Sequence, residues 1–423
     1  MMNGFVRVLA LLPGLVLTTE LLNRAGADWF GAYMATMLTL GLSCLLSDRF
    51  IIAPESALTA ELVFSSVFIM GLGHGAAKVI LLLGALLALP VGHLLGRCTE
   101  RLRQLILSTA SVGLSLLLLS VGLSRSGIIQ PAVMMPSQLG NLLAPDVFVT
   151  LMTIVVMGIL QTGKSTKKYT FGGGLLFAFL LAALEGFLDF DYGVFALPTV
   201  ENLGKVWFAF DFPTAWGILL TAPGDIIVPA LTIAVTMVTM SRAVCSTSAA
   251  IAAEKTDDDE VRRINGKSAL LGLISAGLGS GPVTVSPLSL LKDEEENPAA
   301  GRRYGMLAGA AVLLFCAPLA RSIAECPGII APLYIWLGGV LTAGWLKNLT
   351  GRQETDDAAS RSWPLVIGAS VIAALSYNLT AGIGAALIGH SFMQIFDGRD
   401  GWPDCIEWLI IVCYVLYFSS YCF

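Results

Sequence analysis

Apolar stretches of about 15 to 25 residues recur along almost the whole chain, separated by short polar loops, and this is the length an α-helix needs to cross about 30 Å of hydrocarbon. The pattern predicts spans at 5–22, 29–47, 50–70, 75–96, 104–123, 147–161 and 169–188, and again at 226–250, 267–280, 282–291, 304–320, 328–347, 363–377 and 379–396. A last apolar tail, 405–422, is either a fifteenth span or an interfacial segment. The longest connection, 189–225, carries Asp189, Asp191, Glu201, Asp211 and Asp225 and divides the spans seven and seven. An odd number of spans in each half sets the halves in opposite orientations, the inverted repeat common in secondary transporters. The expected fold is therefore an all-α membrane protein, with 1–188 and 226–396 as the repeats and 397–423 as a hydrophobic tail.

Charge supports this layout. Positively charged loops stay cytoplasmic. With the N-terminus inside, nineteen of the 25 basic residues fall on the cytoplasmic side, five on the other, and Arg242 lies within a membrane segment. Arg7 ahead of "VLALLPGLVLTTELL" imitates a signal peptide, but further spans follow at once, so a first membrane span is expected. This predicts a multi-pass protein of the cell inner membrane.

Composition then excludes other classes. Only 13% of the 423 residues are charged, mean hydropathy is +0.78 and 56% are hydrophobic, whereas a soluble chain carries about a quarter charged residues. The eight cysteines are scattered without a CxxC pair, and His74, His93 and His390 are dispersed, so neither a metal nor a disulfide framework nor a histidine-centred catalytic site is expected. No phosphate-cradling glycine loop points to a primary pump, and no basic patch interleaved with aromatics points to nucleic acid. No cofactor and no enzymatic activity are predicted, although a membrane-embedded enzyme or a receptor stays open as a different class. The implied partners are the lipid bilayer, a small-molecule substrate, and a proton or other coupling ion.

Two segments break the apolar pattern at matching places. The third span reads "APESALTAEL" and holds Pro54, while the tenth reads "GSGPVTVSPLSLL" and holds Pro282 and Pro287. Proline removes an amide donor and pushes the preceding residue toward extended geometry, so each segment is expected to be part extended strand and part helix. Extended backbone at membrane depth is tolerable only around a protein-lined or watery cavity, into which the half-helix N-termini would point. The alternative is that the prolines merely kink ordinary helices.

From these residues outward the chain resembles the nucleobase–cation symporter 2 (xanthine/uracil permease) superfamily, most of all its hypoxanthine/guanine/adenine permease branch. "IIAPESALTAELVF" is similar to the third segment of that branch, "GFVRVLALLPGLVLTTELLNRAGA" to the first, "APLARSIAECPGIIAPLYIWLGGVL" to the corner of segments 11 and 12, and "SYNLTAGIGAALIGHSFMQI" to the penultimate hairpin. The resemblance implies fourteen spans, with a core domain from 1–96 and 226–320, a gate domain from 104–188 and 328–396, alternating access between them, and a homodimer. It also implies substrate held between segments 3 and 10, usually with an acidic residue in each of segments 8 and 10. Here those positions are Arg242, after Ser241, and Leu288, between Ser286 and Ser289.

The candidate site is therefore Glu55, Ser56 and Thr59 of segment 3, Ser241 and Arg242 of segment 8, and Thr284, Ser286, Leu288 and Ser289 of segment 10. A guanidinium there would suit a carboxylate or oxyanion, so proton-coupled uptake of a purine-like solute stands beside an anion transporter or exchanger of sulfate, bicarbonate or carboxylate. Arg242 could instead snorkel toward the cytoplasmic end of its helix. Glu55 either carries a proton or forms a static ion pair with Arg242. Glu61, six residues on and about 240° round a helix, does not share a cavity with it.

Overall fold

The computed structural model of the chain describes residues 2–46, 50–96, 100–130, 138–163, 166–188, 190–252, 258–290, 299–352, 357–397 and 405–420. In chain order the first half runs α1 (Met2–Arg24), α2 (Trp29–Leu46), β1 (Ile52–Pro54), α3 (Ser56–Val63) continued by a π-turn (Phe64–Ile69), α4 (His74–Leu95), α5 (Glu100–Arg125), the small hairpin β2 (Ile129–Gln130) and β3 (Gln138–Leu139), α6 (Pro145–Thr162) and α7 (Thr170–Leu184). Two short helices, α8 (Val200–Gly204) and α9 (Phe212–Thr221), occupy the connection. The second half follows as α10 (Gly224–Ala252), α11 (Asp258–Leu278), β4 (Val283–Val285) with a 3-10 turn (Pro287–Leu290), α12 (Ala299–Phe315), α13 (Ala317–Glu325), α14 (Pro327–Arg352), α15 (Asp357–Leu375), α16 (Leu379–Asp397) and α17 (Cys405–Ser420).

Six of the described helices are long and apolar enough to cross a membrane alone, or seven if α12 and α13, bent by 77° at their junction, count as one. The remaining segments are shorter or less uniformly apolar, and two of them, the third and tenth, pass through extended backbone. The chain is thus an all-α membrane protein built as two inverted repeats of seven segments, with α17 added at the end.

The packing carries the symmetry. α1 lies against α12 as α10 lies against α4, and α2 against α12 as α11 against α4. In a second group α5 meets α15 and α16 as α14 meets α6 and α7, while the α5–α14 contact maps onto itself. Replacing each segment by its counterpart seven places on returns the same scheme. Lipid supplies no hydrophobic drive for helices to associate, so close approach depends on small residues. Where α5 crosses α14, a Cβ on Gly122 would meet the Ile335 nitrogen at 2.8 Å, and one on Gly338 would meet the Leu119 nitrogen at the same distance.

The two interrupted segments meet at their strands. β1 and β4 pair antiparallel, Ala53 opposite Thr284 and Pro54 opposite Val283. The ladder closes with Glu55 N–H donating to the Pro282 carbonyl at 2.9 Å and Ser286 N–H to the Ile51 carbonyl at 2.8 Å. Antiparallel pairs alternate between bonded and unbonded positions. Glu55 and Pro282 hold a bonded position, so Pro54 falls at an unbonded one and its missing amide removes nothing from the ladder. Both strands are fully buried, as extended backbone at membrane depth must be.

Candidate functional site

The β1–β4 pair fixes where the two following turns begin. Glu55 is the N-cap of α3 in extended geometry (φ −113°, ψ 125°), so its side chain leaves the strand at the point where the helix starts. The carboxyl is 8% exposed and lies against the amides of Ser56 and Ala57 without completing a cap hydrogen bond. The dipole of a helix N-terminus favours negative charge at that spot.

Beside it lies a cavity of about 40 Å³, bounded by Ala10, Pro13 and Gly14 of α1, Pro54, Glu55 and Ser56, and Ser286 and Pro287. Its opposite wall is Leu118 of α5, Phe171 of α7 and Leu333, Tyr334 and Leu337 of α14. The space has room for a few waters at about 10–15 Å³ each. Tyr334 is 5% exposed, and its hydroxyl faces Ser56 and completes no hydrogen bond among the described residues. A buried phenol in that state is a donor awaiting an acceptor.

The other expected residues divide between cavity and scaffold. Ser286 joins Glu55 and Ser56 at the cavity. The Thr59 hydroxyl donates to the Glu55 carbonyl at 2.8 Å, Ser289 Oγ accepts from Ile51 N–H at 2.8 Å, and Ser241 and Thr284 share a hydrogen bond of 2.8 Å. These contacts brace the crossing. Leu288 falls in the 3-10 turn, and its side chain is outside the described residues. Arg242 stands apart from the cavity: its Nη2 lies 3.4 Å from where a Cβ on Gly96 would be, beside the last carbonyls of α4. A cation at a helix C-terminus is favourably placed. Glu20 accepts from Arg24 at 2.8 Å and from Arg125 at 2.7 Å, tying α1 to α5.

Sequence reasoning did not single out Tyr334 or Phe171. Their signal is weak, because an aromatic within an apolar span reads equally as a lipid contact.

No protein-family model matches the chain. Its sequence is similar to the guanine/hypoxanthine permease PbuO of Bacillus subtilis (strain 168), 23% identical over 390 residues that cover 90% of this chain and 82% of the permease. The chain is thus similar to a nucleobase permease along most of its length. Its architecture is also shared with solved transporters. The transmembrane domain of a cyanobacterial bicarbonate transporter, BicA, aligns with a TM-score of 0.59 at 14% identity, covering 90% of this chain and 97% of that one. Murine Solute Carrier 26 family member A9, an anion transporter in its inward-facing state, aligns at 0.54 and 11% identity, covering 94% and 68%. At such identities these likenesses concern the fold. The permease relationship and the transporter architecture together make the protein a multi-pass membrane transporter.

Proposed function

We propose that this permease moves a purine-like nucleobase, guanine or hypoxanthine, across the inner membrane, N-terminus on the cytoplasmic side, by proton-coupled alternating access. The observation that carries this reading is the cleft in which a carboxyl, Glu55, faces an uncommitted phenol, Tyr334, across the seam between two groups of helices. A purine presents N–H donors and ring acceptors around a flat apolar face. A carboxylate accepts from such donors, a tyrosine hydroxyl donates to a ring nitrogen or carbonyl, and Phe171 offers a face for stacking.

Residues 1–96 and 226–320 form the core domain and 104–188 and 328–396 the gate domain, in a homodimer. Substrate enters by separation of the two walls, and the closed walls exclude water from the bound base. The chain's part is binding and movement of solute, with no bond made or broken.

The test is uptake in proteoliposomes, with and without a pH gradient, of labelled guanine, hypoxanthine, uracil, sulfate and bicarbonate. Purine uptake that is lost in Glu55→Gln and strongly reduced in Tyr334→Phe, with both variants folded, is the expected result. Uptake of anions alone, abolished by Arg242→Ala, would overturn it in favour of an anion transporter.

A further inference from the structure

A second carboxyl lies in the same half-helix as Glu55 and is built into a different place. Glu61 is 2% exposed. Tyr417 of α17 donates its hydroxyl to Glu61 Oε1 at 2.6 Å, and Asn378 Nδ2 donates in turn to the Tyr417 oxygen at 2.6 Å. Asn378 is also the residue whose Oδ1 accepts from Ala381 N–H at 3.0 Å, closing the first turn of α16. Three elements thus converge on one carboxylate: α3 from segment 3, α16 from segment 14, and the added helix α17. Three residues after Glu61 the helix loosens into the π-turn, and Ser65 Oγ donates to the Glu61 carbonyl at 2.7 Å. π-turns of this kind are frequent at functional sites.

We propose that Glu61 is the proton site of the transporter, separate from the substrate cavity, and that α17 exists in part to supply its hydrogen-bond partner. The inference rests on the transporter reading and adds to it the location of the coupling ion. An ionisable group at membrane depth is expensive to keep charged, and here both forms have a place. In the unprotonated form the described hydrogen bonds run one way, from Asn378 to Tyr417 to the carboxylate, which can only accept. A proton arriving on Glu61 turns the carboxyl into a donor. Tyr417 then donates to a carboxyl that is no longer charged, a weaker hydrogen bond than the charge-assisted one, and Asn378, which addresses the Tyr417 oxygen and the start of α16 together, feels the change. Proton binding at segment 3 is thereby felt at segment 14, across the seam that transport has to open.

The groups facing Glu61 are consistent with a proton as the ligand. From α17 come the neutral phenols Tyr417 and, with ring centroids 6.3 Å apart, Tyr414. From α10 and α16 the polar neighbours in this cluster are Thr236 and Thr380, hydrogen-bonded to one another at 2.8 Å, and from the residue before α16 Asn378. Lys78 of α4 is directed to the Val206 carbonyl, and Glu20 of α1 to its two arginines.

Two measurements on the purified full-length protein test this. The first needs no substrate: infrared titration of the carbonyl stretch of protonated carboxyls. A band that appears as pH falls is expected in the parent protein, absent in Glu61→Gln and displaced in Tyr417→Phe. The second is uptake of labelled guanine or hypoxanthine into proteoliposomes. Glu61→Gln is expected to lose accumulation driven by a pH gradient, and whatever exchange remains is expected to stop varying with pH.

An unchanged band in Glu61→Gln, or full gradient-driven accumulation in that variant, overturns the proposal. If Glu61→Gln fails to fold, the Tyr417→Phe band decides, because an unshifted band there is equally fatal. If the parent protein takes up neither purine, the substrate reading fails, while the infrared result still judges the proton site.

Discussion

Segments 3 and 10 enter the crossing as near equals and leave it as different things. Both arrive as three-residue buried strands, paired to each other about a shared register. After the crossing, segment 3 becomes a helix carrying two buried carboxyls, Glu55 and Glu61. Segment 10 continues through Ser286 into a 3-10 turn, and the described polar side chains there are hydroxyls, Ser286 and Ser289. The inverted repeat therefore fixes the backbone symmetrically and leaves the chemistry free to diverge. Ionisable chemistry sits on one arm, and the other arm is mostly support.

Breaking the shared part should hurt most and hurt equally from either side. Ala53→Pro removes a ladder amide in the middle of β1, and Thr284→Pro does the same in β4. A buried backbone group left unpaired at membrane depth costs several kcal/mol, so both variants should lose purine binding and melt far below the parent in detergent. If Ala53→Pro melts like the parent, the strand pair is not what holds the arms together.

The unequal part should separate in function. Glu55→Gln is expected to lose uptake of labelled guanine or hypoxanthine, whereas Ser286→Ala on the opposite arm keeps measurable uptake with a raised KM. Equal loss from both would contradict the asymmetry.

A smaller effect is expected where the symmetry maps one contact onto itself. Gly122→Val and Gly338→Val each drive a side chain into the facing backbone where α5 crosses α14, an overpacking worth about 1–3 kcal/mol. Similar falls in melting temperature for the two would support the symmetric reading of this contact. The smallest effect belongs to the Ser241–Thr284 hydrogen bond. A double-mutant cycle with Ser241→Ala and Thr284→Val should return a coupling of about 1 kcal/mol.

How much of this was legible in the sequence depends on the range of the force concerned. Lipid acts on every residue locally, so the order of the spans and the interruptions at Pro54 and Pro287 could be read directly. The pairing of Ala53 with Thr284 could not, because no local rule sets a register between residues so far apart. Ser241 and Arg242 show a second limit. Adjacent residues project about 100° apart on a helix, and here one braces the crossing while the other reaches the end of α4. Sequence alone set both in the site. Tyr334 escaped notice because only its surroundings distinguish a cavity-lining tyrosine from a lipid-facing one. Glu61 was separated from Glu55 by helical geometry, but its partner Tyr417 lies in a tail that fell outside the repeat.

The strand pair also constrains how the protein is made. Ile51 and the Ser289 that accepts its amide proton are 238 positions apart, so the ribosome delivers β1 long before β4 exists. Until then the amides of β1 have no ladder to join and cannot be left bare in hydrocarbon. The first seven segments therefore have to wait in the membrane with their third segment hydrated or sheltered. Insertion of the second half completes them, which makes the mature carrier a product of late assembly rather than of two independently finished halves.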